Sequence, residues 1–524
     1  VTVTTRDLAR AGIIVGGALI VSRILGWVRV AIIAGSLGIG RELDIYTAAF
    51  RLPDLLFHLV AAGALASAVI PTIAALVAAG ERDRAWRVVS SIANLLLVVL
   101  VALAAITFVA APALAPLLVP GFDEAATESL VQLTRILLLS PIFLALAAVA
   151  TSVLNSAGRF AASVLAPIVY NLVIIAAAIV VVPVYGLEGL AWGTVVASVA
   201  AVLVQIGPAF RQAGFVYHLR VSLGDAEARR TLLLLGPRAI GLAGSQLTLI
   251  VLTNLGSTLA VGAIGAFGLA FVIFQIPVGV IAYPLGIVAL PALSQRMAVG
   301  QAEEYVALVT RTIRLLGFAM LPIACVAVGV AVQVVDLVLI FGRVEEGGIA
   351  LTAAAFVGLL AALPSEAVII VLSRAFFAAR NTWIPVAAAL SAVAVAVSTA
   401  LLLVGPLGIV GLSLGVVAGS WTETLLLLVA FRVAHSRFSL GRLARAHLWY
   451  AATAVAAGLV AERSYHFLAA ALPAEPGALP AAAALAGAGI AGLGIYVALA
   501  ALLRVPELRA TVELLRAGLR RGGG

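Results

Sequence analysis

Lysine is absent from this 524-residue chain, and all 32 basic residues are arginine. Charge of either sign is scarce, at 10% of residues, while 64% are hydrophobic. Soluble domains carry about 25% charged and 45–50% apolar residues, so this composition cannot cover a water-exposed globule with polar surface. Cysteine occurs once, at Cys325, which excludes an intrachain disulfide and reads as a small apolar residue inside a span. No paired-cysteine or H-E-x-x-H metal motif, P-loop or G-x-S-x-G elbow occurs, and no cluster of carboxylates suited to magnesium. These absences argue against an enzyme, against a metal or cofactor, and against ATP as a direct drive. Nucleic acid is excluded as a partner, because the arginines are not interleaved with stacking aromatics in any known module.

What the chain does have is long apolar runs. A helix needs roughly 20 apolar residues to cross about 30 Å of hydrocarbon, and about fourteen stretches qualify. The expected fold is therefore an all-α polytopic membrane protein with about 14 transmembrane helices. The run Ala11–Val21 continues through Arg23 and Arg29 into further apolar sequence, so it reads as a first span rather than a cleaved signal. Alternate loops differ sharply in charge. One set holds Arg82, Arg84, Arg87, Arg159, Arg211, Arg296, Arg437 and Arg442, and the other only Arg41, Arg343 and Arg463. By the positive-inside rule both termini are expected in the cytoplasm, with the chain in a bacterial inner membrane and its basic loops against anionic membrane lipids.

The two halves repeat one another. Gly186-Leu-Glu-Gly-Leu-Ala-Trp-Gly-Thr-Val-Val-Ala-Ser198 and Gly408-Ile-Val-Gly-Leu-Ser-Leu-Gly-Val-Val-Ala-Gly-Ser420 share the pattern G-x-x-G-L-x-x-G-x-V-x-x-S. The second and eighth spans each carry an early and a late proline, at Pro53/Pro71 and Pro277/Pro291. The spacing predicts an N-terminal lobe over 1–220 with six spans and a C-terminal lobe over 221–436 with six more. Two further spans follow over 437–503, and a basic cytoplasmic tail over 504–524. Two such bundles in the same orientation suit an alternating-access transporter.

Ionisable residues within spans cost about 2.5–3.5 kcal/mol each on insertion scales and so mark function. They concentrate at Arg23, Arg29, Arg51, Asp54 and His58, the last three on one helical stripe at i, i+3 and i+7. Glu366, Arg374 and Glu423 are more scattered. The bland reading is that Arg51 and Asp54 neutralise each other while Arg29 snorkels to an interface. As a group, three arginines against one carboxylate leave net positive charge, which suits an anion, and guanidinium suits phosphate oxygens.

Several stretches resemble the MurJ (MviN) family of the multidrug/oligosaccharidyl-lipid/polysaccharide exporter superfamily. They are Ser22-Arg-Ile-Leu-Gly-Trp-Val-Arg29 with Asp44, Phe50-Arg-Leu-Pro-Asp-Leu-Leu56, Leu154-Asn-Ser-Ala-Gly-Arg-Phe160 with Ala166-Pro-Ile-Val-Tyr-Asn171, and Leu235-Gly-Pro237. The resemblance implies a V-shaped cationic cavity and a flippase that moves lipid II, a polyprenyl-pyrophosphate-linked peptidoglycan precursor, from the inner to the outer leaflet. Arg23 and Arg29 match family cavity arginines, and Asp44 and Arg51 match positions of like charge. With Asp54 and His58, these make the candidate substrate-binding set. Five positions depart from the family pattern: Phe57 replaces an arginine, Ala62 a glutamate, Val30 an aspartate, and Phe271-Val272 an Asp-Arg pair. They leave two alternatives open, a flippase for another lipid-linked glycan and a non-transporting membrane scaffold. A coupling cation is a further expected partner.

Overall fold

A computed structural model describes residues 5–60, 64–219, 244–339, 346–472 and 477–509, and every regular element among them is a helix. Ala62, the Leu235-Gly-Pro237 stretch, Arg343 and residues 510–524 lie outside the described residues. Two compact units form, one from residues up to Gly265 and one from Ala266 onward.

The first unit contains α1 (Thr5–Leu37), α2 (Arg41–Ala49), α3 (Arg51–Val60), α4 (Ala64–Ala78), α5 (Arg82–Leu118), α6 (Glu124–Leu137), α7 (Ser140–Ser156), α8 (Phe160–Ala176), α9 (Val182–Arg211) and α10 (residues 244–257). α11 (Ala263–Pro277) starts here and continues into the second unit. There follow α12 (Tyr283–Ala298), α13 (Ala302–Gly329), α14 (Ala331–Val338), α15 (Glu346–Leu360), α16 (Leu363–Ala378), α17 (Trp383–Leu407), α18 (Ile409–Ala434), α19 (Leu440–Ala469) and α20 (Ala478–Leu502).

Large side chains such as Val109, Leu402 and Val433 are 77%, 76% and 82% exposed. In water such a surface would aggregate, whereas in a bilayer it faces lipid tails. With no hydrophobic drive between helices in lipid, close contact rests on small residues. In the second unit Ala454, Ala457 and Ala461 of α19 are fully buried against α13 and α20. A methyl group added at Gly458 would lie 2.5 Å from the Cys325 carbonyl oxygen, so Cys325 sits where two helices nearly touch. Trp86, Ile92 and Leu100 of α5 pack with Leu154 of α7 at the centre of the first unit.

The sequence repeat has a backbone counterpart. Gly186 and Gly408 both adopt φ 55°, with ψ −144° and −131°. This left-handed turn, open to glycine, folds each chain back on itself. Gly193 then meets Ala177, and its counterpart Gly415 meets Ala396 and Ala400. The continuous 52-residue helical stretch Phe160–Arg211 is therefore a hairpin, not one span. By length and apolarity alone, eight helices among the described residues can cross a membrane, or nine if the bent pair α15–α16 counts as one. The all-helical polytopic architecture stands, while the count of fourteen is not established by this measure.

Candidate cationic site

The second span is broken between α2 and α3, and the break is set by Pro53. Proline clashes with the carbonyl four residues earlier and has no N–H, so it fits best in a helix's first turn. The helix accordingly restarts at Arg51, which places Arg51, Asp54 and His58 on successive turns of α3. The His58 ring donates from Nδ1 to the Asp54 carbonyl oxygen at 2.8 Å, leaving Nε2 as the nitrogen without that tether. Phe57 meets His58 edge-on at 5.7 Å and packs on the apolar core. Its position is thus filled by core packing rather than by charge.

Arg51 and Asp54 do not form the direct pair that the bland reading predicts. The Arg51 Nε donates to Thr253 Oγ1 of α10 at 2.7 Å. Among the described residues no carboxylate lies within 4.0 Å ion-pair distance of Arg29 or Arg51. Asp54 is nevertheless in electrostatic reach of Arg51, His58 and Arg29. Two guanidinium groups therefore share one carboxylate, and the cluster keeps net positive charge in a half-buried setting.

Arg29 reaches this cluster from α1, its guanidinium 5.6 Å from the ring centre of Tyr170 on α8. The neighbouring Asn171 fixes the two helices, donating from Nδ2 to the Pro167 carbonyl at 2.9 Å and the Ser22 carbonyl at 3.3 Å. Tyr46 on α2, also in electrostatic reach of Arg29 and Asp54, is held by Thr194 of α9 at 3.2 Å. Tyr46, Tyr170 and Thr253 are absent from the residues expected from sequence. Their roles depend on helices far apart in the chain, and a buried tyrosine in an apolar span carries no periodicity signal.

Two expected residues lie apart from the cluster. Arg23, almost two turns before Arg29 on α1, has an exposed side chain and is not among the charges acting on Asp54. Asp44 is 2% exposed, and its two carboxylate oxygens accept the amide N–H groups of Gly262 at 2.7 Å and Gly265 at 2.8 Å. Asp44 thus caps the start of α11 from a distant segment. Gly262 has φ 91°, and a methyl at Gly265 would lie 2.7 Å from Leu43, so both glycines are needed for this approach. Nothing in that geometry exposes the Asp44 carboxylate to a ligand.

In the second unit, Phe271 stacks between Phe267 and Phe274 at centroid distances of 6.3 and 5.9 Å. The half-buried Val272 follows it on α11. An aromatic ladder stands where the family resemblance places charge.

The MurJ family profile, described as Lipid II flippase MurJ, matches residues 33–471. A Rhizobium tropici protein described as a probable lipid II flippase MurJ is 30% identical over 532 residues, covering 98% of this chain and 97% of its own. The chain belongs to the MurJ lipid II flippase family. A Burkholderia cenocepacia lipid II flippase MurJ is 28% identical over 437 residues, covering 81% of this chain and 84% of its own. Among solved structures, lipid II flippase MurJ in an inward closed conformation matches with a TM-score of 0.76 at 19% identity, over 94% of this chain and 99% of that one. An inward-facing MATE transporter of the MOP superfamily matches at 0.65 and 16% identity, over 81% and 96%. At such identities these likenesses speak to the fold alone. This MurJ-family chain is a multi-pass helical membrane protein.

Proposed function

We propose that this MurJ-family chain is a flippase that moves lipid II from the inner to the outer leaflet by alternating access. The observation that carries the reading is the Arg29–Arg51–Asp54 cluster. It is cationic, walled by Tyr46 and Tyr170, and set on a proline-broken helix where polar backbone has somewhere to go. Guanidinium groups left without close carboxylates suit the oxygens of a pyrophosphate, while the polyprenyl tail stays in lipid. No catalytic step is involved. In this reading the lobes 1–220 and 221–436 supply the alternating access, and 437–503 adds two further spans. The arginine asymmetry of the loops puts both termini on the cytoplasmic side of the inner membrane. The inside-negative potential favours outward movement of negative charge by about 2.3 kcal/mol per charge per 100 mV.

The test is reconstitution of the purified chain into vesicles with labelled lipid II, paired with depletion in cells. Labelled lipid II should become accessible at the far leaflet only when the protein is present, and depletion should accumulate precursors in the inner leaflet. Vesicles that move no lipid II, from protein shown to be folded, would refute the reading.

A further inference from the structure

The second unit holds a buried polar system that the cationic site does not use. The tenth span is broken, with α15 and α16 bent by 46°. The Ala361 carbonyl at the break accepts Trp421 Nε1 of α18 at 2.9 Å. Just beyond it, in the first turn of α16, stands Glu366. Its Oε1 accepts the Ser420 hydroxyl of α18 at 2.9 Å, and Ser365 lies 2.8 Å from both Ser420 and Thr424. Thr424 also reaches the Ser365 carbonyl at 3.2 Å. Ser365, Ser420 and Thr424 are 0%, 6% and 1% exposed.

Each hydroxyl has one proton and can rotate it, which makes the chain directional. With Glu366 ionised, the Ser420 hydroxyl donates a hydrogen bond to the carboxylate. Ser365 must then donate to Ser420, and Thr424 to Ser365. With Glu366 protonated, the order reverses. The acid donates to Ser420, Ser420 to Ser365 and Ser365 to Thr424, whose proton turns to the Ser365 carbonyl. Every hydroxyl proton has an acceptor in both states, a property that a site for one fixed charge does not require.

The surroundings act on the two states in opposite directions. Burial in a span disfavours the ionised carboxylate, whereas the start of α16 presents helix N–H dipoles that favour it. α16 packs against α12, α13 and α18. Of their ionisable groups, Glu423 of α18, one turn from Ser420, is in electrostatic reach of Glu366. Arg296, Arg314 and Arg432 are engaged with Glu304, Glu507 and the Ser436 carbonyl. Arg374 and Tyr305 donate to the carbonyls of Tyr283 and Ala375. No basic group among the described residues acts on Glu366.

We propose that Glu366, wired through Ser420, Ser365 and Thr424, is a proton-binding site whose loading and unloading drives the second unit through the transport cycle. A proton from bulk water adds to the carboxylate to give the carboxylic acid and later leaves to water, with Glu423 as the neighbouring carboxylate on its route. The coupling part rests on the flippase reading, whereas proton binding does not.

Infrared difference spectra of the purified full-length chain, recorded between acid and alkaline pH, read the site directly. A carboxylic C=O band should appear on acidification and be missing in Glu366→Gln. Should that variant not fold, Ser420→Ala keeps the carboxylate and should move the band to higher frequency, because the protonated acid loses the acceptor of its O–H. A spectrum unchanged by Glu366→Gln, or a band unmoved by Ser420→Ala, overturns the site. In vesicles clamped at zero potential, an imposed pH gradient should change the rate of lipid II movement several-fold in the wild type and not in Glu366→Gln. An equal response in both overturns the coupling. If the wild type moves no lipid II even with an inside-negative potential imposed, the flippase reading fails, and the infrared band still decides the proton site.

Discussion

Asp44 offers the sharpest test of how the site is held, because two roles predict opposite outcomes. Its Oδ2 and Oδ1 accept Gly262 and Gly265 amides at 2.7 and 2.8 Å, one oxygen to each. Asp44→Asn keeps the shape but turns an NH2 group toward one of those N–H donors. One hydrogen bond to a charged group is then lost, about 1.5–3 kcal/mol, and a buried N–H is orphaned. Asp44→Ala removes both bonds, about 3–6 kcal/mol before relief of the carboxylate's own desolvation. Taking about 2 kcal/mol for Asp44→Asn, the unfolding equilibrium should shift about thirtyfold. Titration of the purified protein with sodium dodecyl sulfate, followed by tryptophan fluorescence, measures that shift. The expected order of stability is wild type, then Asp44→Asn, then Asp44→Ala. Lipid II affinity should be unchanged wherever the protein stays folded. If both variants are as stable as wild type but bind lipid II poorly, Asp44 contacts cargo, and the capping role is wrong.

Other outcomes are expected at the cationic cluster. Arg51→Ala/Asp54→Ala should remain deficient in lipid II movement, since Arg51 is anchored by Thr253 rather than paired directly with Asp54. Restoration to the wild-type rate would make both residues structural. Arg29→Lys keeps the charge but loses the planar face over Tyr170, about 0.5–1 kcal/mol, so lipid II affinity should fall about two- to fivefold. Equal affinity would remove the stacking argument. Val272→Arg, at a half-buried position on α11, should be tolerated and tighten pyrophosphate-lipid binding by roughly ten- to a hundredfold, the worth of a charge-assisted contact. Unfolding or unchanged affinity in nanodiscs would place Val272 away from the headgroup.

Hydrophobic content and the scarcity of charge were enough to read an all-helical membrane chain, and the repeated glycine pattern to find the segment that recurs in both halves, though not the turn it makes. Both are one-dimensional properties. Apolar length is additive along the sequence and a repeat is a matter of spacing, whereas the left-handed turn at Gly186 or Gly408 showed only in the backbone, where glycine alone meets it cheaply. The MurJ resemblance was legible for the same reason, since its motifs are contiguous. The stripe Arg51–Asp54–His58 was also legible, because a helix converts spacing into a face. Partnership was not. Charge on Asp44 looked like a cavity acid, yet its oxygens are consumed by amides more than two hundred residues away, at Gly262 and Gly265. Spacing alone left open a direct pair of Arg51 with Asp54 one turn along, yet the Arg51 Nε goes to Thr253 on another helix. Tyr170 passed as motif filler until α8 packed on α1. The hydroxyls that wire Glu366 are ordinary serines and threonines in apolar runs. A hydrogen bond is decided by a few tenths of an ångström between side chains on different helices, and only the packing of those helices sets that distance.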